Sequence, residues 1–114
     1  MIYKHKFNPP WEHGGTTYEE MEFDFGKLSG KDMLNLEEEI LATTGRHLVP
    51  EFDKAYQYRF AAKAAGVSAD TIAAMPATDF NRICNRSRSF LIGLDSFLQA
   101  KEKANPQEED SESA

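Results

Sequence analysis

Three closely set arginines are the most chemically suggestive feature of this 114-residue chain. Arg82, Arg86 and Arg88 are interleaved with Asn81 and Asn85. Helical spacing puts Arg82 and Arg86 on a common face. Such a face could read nucleic acid, hold an acidic protein segment or lie solvated. Nucleic-acid binding needs a wider basic footprint than this, and no turn-plus-recognition-helix pattern precedes it.

The other reactive side chains are scattered. His5, His13 and His47 stand in three separate segments without metal-ligand spacing, and read as surface or loop histidines. Cys84, the single cysteine, reads as a small buried thiol on an apolar helix stripe. Glu37, Glu38 and Glu39 read as a solvated helix face. The phosphate-binding, dinucleotide-binding, GxSxG and HExxH signatures are all absent. No enzyme activity, no cofactor and no metal site is therefore expected.

Composition sets the frame for these residues. The chain carries 13 Lys and Arg against 19 Asp and Glu, a formal charge of −6. Four of those acids, Glu108, Glu109, Asp110 and Glu112, fall in the segment 105–114, which has no base and no large apolar residue. That segment is expected to be a disordered acidic tail. Residues 1–104 then hold 13 bases against 15 acids and form one nearly neutral domain. No apolar run approaches a membrane span, and the N-terminus has no signal-peptide core. One cysteine fits a reducing compartment.

The elements that must position these residues follow from periodicity. Tyr3 and His5 alternate with Lys4 and Lys6, and Met21, Phe23 and Phe25 alternate with Glu20, Glu22 and Asp24. Both runs read as strands, joined through the proline- and glycine-bearing stretch 8–15 into an antiparallel hairpin over residues 1–25. From residue 28 onward the pattern is helical. Ser29 caps a helix over 31–44 with Gly45 as its stop, and Met33, Leu36, Ile40, Leu34 and Leu41 form its apolar face. Pro50 begins a second helix ending near Ala65 at Gly66. Ser68 caps a short third helix over 69–75. The last runs from Thr78 or Asp79 to about Lys103. Its apolar stripe is Phe80, Ile83, Cys84, Ser87, Phe90, Leu91, Leu94, Phe97 and Leu98. The fold class is α+β: an N-terminal β-hairpin followed by a mainly helical body of three or four helices.

The second helix is apolar on two sides. Phe52, Ala55, Tyr56 and Phe60 form one face; Tyr58, Ala61, Ala62 and Ala65 form the other. A helix of this kind lies between two neighbours, and in a small domain the second neighbour could be another chain. Tyr58, Ala61, Ala62 and Ala65 are the expected partner surface, with Arg82 and Arg86 as a polar rim.

The order of these features resembles the small tail assembly chaperones of long-tailed bacteriophages, of the P2-like and Mu-like phages and prophages. The resemblance runs over about residues 3–92. It begins at Asn8-Pro9 and Gly15-Thr16-Thr17-Tyr18, then takes in Phe23-Asp24-Phe25-Gly26-Lys27-Leu28-Ser29-Gly30-Lys31-Asp32. It continues through Val49-Pro50-Glu51, Ala61-Ala62-Lys63-Ala64-Ala65-Gly66-Val67, Met75-Pro76-Ala77, Asp79-Phe80 and Phe90-Leu91. It implies a non-enzymatic protein of the host bacterial cytoplasm, absent from the mature virion. Such a protein binds the tape measure protein and assists tail tube protein polymerisation, and could form a homo-oligomer. The alternatives are a generic interaction or self-assembling structural module, and a small nucleic-acid-binding regulator.

Overall fold

The computed structural model describes residues 2–93. It is an α+β structure, a hairpin followed by four helices, as the periodicity predicts. The elements are β1 (Ile2–His13), β2 (Thr16–Asp24), α1 (Gly30–Thr44), α2 (Lys54–Ala65), α3 (Ala69–Ala73) and α4 (Ala77–Leu91). A single 3-10 turn, Phe25–Lys27, links β2 to α1. The expected acidic tail, and Leu94, Phe97 and Leu98 of the expected stripe, lie outside the described residues.

The hairpin is longer than its alternation suggests. Residues 8–13 are strand rather than loop, and the turn is only Gly14-Gly15. Both glycines have positive φ, +59° and +80°, the backbone that a two-residue hairpin turn demands. Between the Lys6–Glu20 and Trp11–Tyr18 pairs, β1 has four residues where β2 has one. Prolines 9 and 10 lack the N–H needed for pairing, so the strand bulges around them and then resumes. The Asn8–Pro9 peptide bond is cis.

Inward-facing Phe7, Met21, Phe23 and Phe25 bring the hairpin onto the helices. The ring of Phe25 lies 6.0 Å from Phe60 on α2 and 5.4 Å from Phe90 on α4. α2 is the central element, packed against α1, α3, α4 and β2.

Local signals account for most helix ends. Ser29 and Asp32 form a reciprocal cap on α1: the Ser29 N–H donates to Asp32 Oδ2 at 2.7 Å, and the Asp32 N–H donates to Ser29 Oγ at 3.2 Å. The Ser29 backbone N–H, and after it the Ser29 hydroxyl donating to Asp32 Oδ2 at 3.1 Å, hold the Asp32 carboxyl below its usual range. The other end of α1 closes at Gly45, α2 at Gly66, and Ser68 caps α3.

Four boundaries among the last three helices differ from expectation. α2 starts at Lys54, not Pro50, because Asp53 accepts the Val49 N–H at 2.6 Å and holds the preceding turn. Phe52 is thereby left out of the helix and is 78% exposed. α3 ends at Ala73, with Ala74 as its cap residue. α4 starts at Ala77 and closes after Leu91, with Gly93 at φ +79°, instead of running through to Lys103.

Candidate functional site

The residues expected to form a partner surface are divided between core and surface. Ala61 is fully buried and Ala62 almost so, because α3, α4 and β2 of the same chain crowd around α2. The second apolar face of α2 is therefore an internal face. Tyr58 is half-buried, with its ring 5.5 Å from Phe80 and under the Arg59 guanidinium. Ala65 is half-buried against the core.

The arginine cluster is also dispersed. Arg86 is half-buried with its guanidinium 4.6 Å above the Tyr3 ring, so it packs on the hairpin instead of rimming a partner site. Arg88 Nε donates to the Glu51 carbonyl at 2.9 Å. Arg82 is exposed. The Tyr3 ring and the Glu51 carbonyl thus draw Arg86 and Arg88 to two different parts of the chain.

His5 overturns the surface reading made for the histidines. It is only 2% exposed and stands between two polar partners from different parts of the chain. Its Nε2 lies 2.7 Å from Asp79 Oδ1 at the start of α4, and its Nδ1 lies 2.8 Å from the Tyr3 hydroxyl. A carboxylate only accepts, so Nε2–H donates to Asp79; in the neutral imidazole Nδ1 then accepts from the Tyr3 O–H. This Tyr–His–Asp chain has the connectivity of a proton relay, but the Arg86 guanidinium covers the Tyr3 ring. Its evident work is to fasten β1 to α4.

Further buried polar groups knit α2 to α4. Ser87 Oγ donates to the Gln57 carbonyl at 2.9 Å, and the Gln57 amide donates to the Pro50 carbonyl at 3.0 Å. Cys84 is buried as expected, and that burial pushes its thiol up to about 11. Among the described residues no group of three His, Cys, Asp or Glu is arranged to hold a metal ion. Nor is any helix among them long and apolar enough to cross a membrane.

Sequence reasoning missed the surface that is apolar and accessible. Leu34 is 62% exposed, and Leu41, seven residues on, is also exposed. Both were expected in the core face, but Leu36 and Ile40 alone take the centre of that face. Helical geometry puts Leu34, Glu37 and Leu41 on one flank of α1. Glu37 and Ile40 line a recess there, with His47 and Leu48 of the next loop and Tyr56 of α2. Val49 and Phe52 continue that loop as exposed apolar residues. The sequence signal was present in the Leu34 and Leu41 positions, both well off the Leu36–Ile40 axis.

Compared with known proteins, the chain matches no family model, no curated protein and no solved structure.

Proposed function

We propose that this chain is a non-enzymatic assembly chaperone of phage or prophage tails. In this reading it binds the tape measure protein in the host bacterial cytoplasm, helps the tail tube protein polymerise around it, and leaves before the virion is complete. The order of motifs from Asn8-Pro9 to Phe90-Leu91 supports the reading. The observation that carries it furthest is the exposed set Leu34, Leu41, Val49 and Phe52 on a chain whose core closes without them. A long helical client needs its apolar stripe covered until the tube encloses it, and an exposed apolar flank suits that task. The client surface thus moves from the alanine face of α2 to the outer flank of α1 and the loop that follows.

The test is co-expression with a phage tape measure protein from the same genome. The client is expected to be soluble and to retain this chain, and Leu34→Ser with Phe52→Ser is expected to release it. A client equally soluble alone, which never retains the chain, overturns the proposal. The second reading, a self-assembling module, draws on the open edges of the two-stranded sheet. It predicts concentration-dependent self-association without any client.

A further inference from the structure

The exposed apolar residues before α2 stand close to where the described residues end. Phe52 is 78% exposed, and Val49, whose carbonyl accepts the Phe52 N–H at 3.0 Å, is exposed as well. The carbonyl of Glu51, between them, accepts from Arg88 Nε at 2.9 Å. Ile92 follows Arg88 by one helical turn, about 6 Å along the axis, and its N–H donates to the Arg88 carbonyl at 3.0 Å. It lies on the Arg88 side of α4 and is also exposed. The last turn of α4 therefore delivers the chain beside the Val49–Phe52 turn, where Val49, Phe52 and Ile92 all meet water.

The sequence beyond that point has the chemistry to cover them. Leu94, Phe97 and Leu98 follow at once, at the spacing that gathers apolar side chains onto one side. No large apolar residue comes after Leu98. Reach is sufficient. Gly93, at φ +79°, lets the chain turn off the α4 axis, and four extended residues span at most about 13–14 Å. The tether decides between this segment and other occupants. So short a link gives an effective concentration on the order of millimolar, above that of a second copy or a separate partner at ordinary dilution.

We propose that Leu94, Phe97 and Leu98 pack over Val49, Phe52 and Ile92 of the same chain, as a tethered cover that a partner using Phe52 must displace. The cover lies outside the core, and its tether lets a weak contact hold it in place. The inference goes beyond the tail-chaperone reading and stands without it. Within that reading the segment is a built-in competitor for the Phe52 end of the client surface.

The full chain, with Phe, Val, Leu and Ile side chains labelled for NMR, is examined without any partner at low and high protein concentration. Nuclear Overhauser contacts are expected from the Phe97 ring to the Val49 and Ile92 methyls, unchanged by dilution. Phe97→Ser is expected to abolish them and to shift the Val49 and Phe52 signals, with the urea midpoint unchanged. Phe52→Ser alters the receiving side and is expected to lose the Phe97–Ile92 contact, which serves if the first variant fails to fold. Disulfide trapping gives an independent reading, since the native Cys84 thiol is buried. Phe52→Cys paired with Phe97→Cys is expected to close about tenfold faster than Phe52→Cys paired with Ala104→Cys, because a merely flexible link closes at rates that depend only weakly on length.

Contacts that vanish on dilution make a second copy the occupant and overturn the proposal. So do Phe97 contacts to Leu34 or Leu41 instead, equal trapping at positions 97 and 104, or identical Val49 and Phe52 signals in wild type and Phe97→Ser. Contacts present with no client retained remove the tail-chaperone reading and leave the cover. Contacts absent with a client retained remove the cover alone.

Discussion

His5, Tyr56 and Cys84 show what individual buried groups contribute here. Asp79→Ala leaves the buried His5 Nε2–H without its acceptor. It is expected to lower stability by about 1–3 kcal/mol in urea unfolding, whereas Asp79→Asn, which still presents an oxygen, should cost less. Tyr56 and Cys84 bind their protons more tightly in the folded chain than in the unfolded one, since burial raises the phenol from 10.0 to about 12 and the thiol from 9.0 to about 11. Stability from both groups is therefore complete below pH about 9 and declines as pH rises towards 12. Urea midpoints across that range should fall, and should fall less steeply in Tyr56→Phe and Cys84→Ser. At neutral pH the native thiol is expected to resist aromatic disulfide reagents that modify the unfolded chain quickly.

At the scale of elements, the ends governed by local chemistry are the dependable ones. Ser29→Ala removes one half of the α1 cap and is expected to cost about 1 kcal/mol, measured by thermal or urea unfolding. The Asp32 carboxylate contributes fully above its usual value of 3.8, and that contribution disappears as pH falls through the lowered one. Ser29, Gly45, Gly66 and Ser68 were legible because a cap is decided within a few residues. The start of α2 was not. Pro50 suits a first helical turn, but Asp53, Gln57 and Arg88 together hold residues 49–53 in turns, and Arg88 lies 37 positions from Glu51. Prolines 9 and 10 predict a loop because pairing is impossible at those residues, yet the strand passes them by bulging. The role of His5 was illegible for the same reason as Arg88: its acceptor is on another element.

For the whole molecule, the two-sided apolarity of α2 was visible, but not the identity of its neighbours. An alanine face buried by the same chain and one buried by a partner have the same sequence. Ala61→Arg now has a definite expectation. It buries an unpaired charge at a fully enclosed site, and should unfold the chain or cost several kcal/mol by circular dichroism and urea titration. Leu34→Ser and Phe52→Ser lie at exposed positions and should change stability by no more than about 0.5 kcal/mol. Opposite responses at Ala61 and Phe52 would confirm that the alanine face of α2 is internal and that Phe52 stands outside the core.

The His5–Asp79 bond also sets an order of events during synthesis. Its two ends are 74 residues apart, and the hairpin's inner face is completed by α2 and α4, both made later. At about 5–20 residues per second, roughly 4–15 s pass between the synthesis of His5 and that of Asp79. The hairpin can close its own ladder in that interval, but Phe7, Met21 and Phe23 wait uncovered. The nascent chain thus carries uncovered apolar side chains until α4 is made, and slowing translation between β2 and α4 lengthens that exposure.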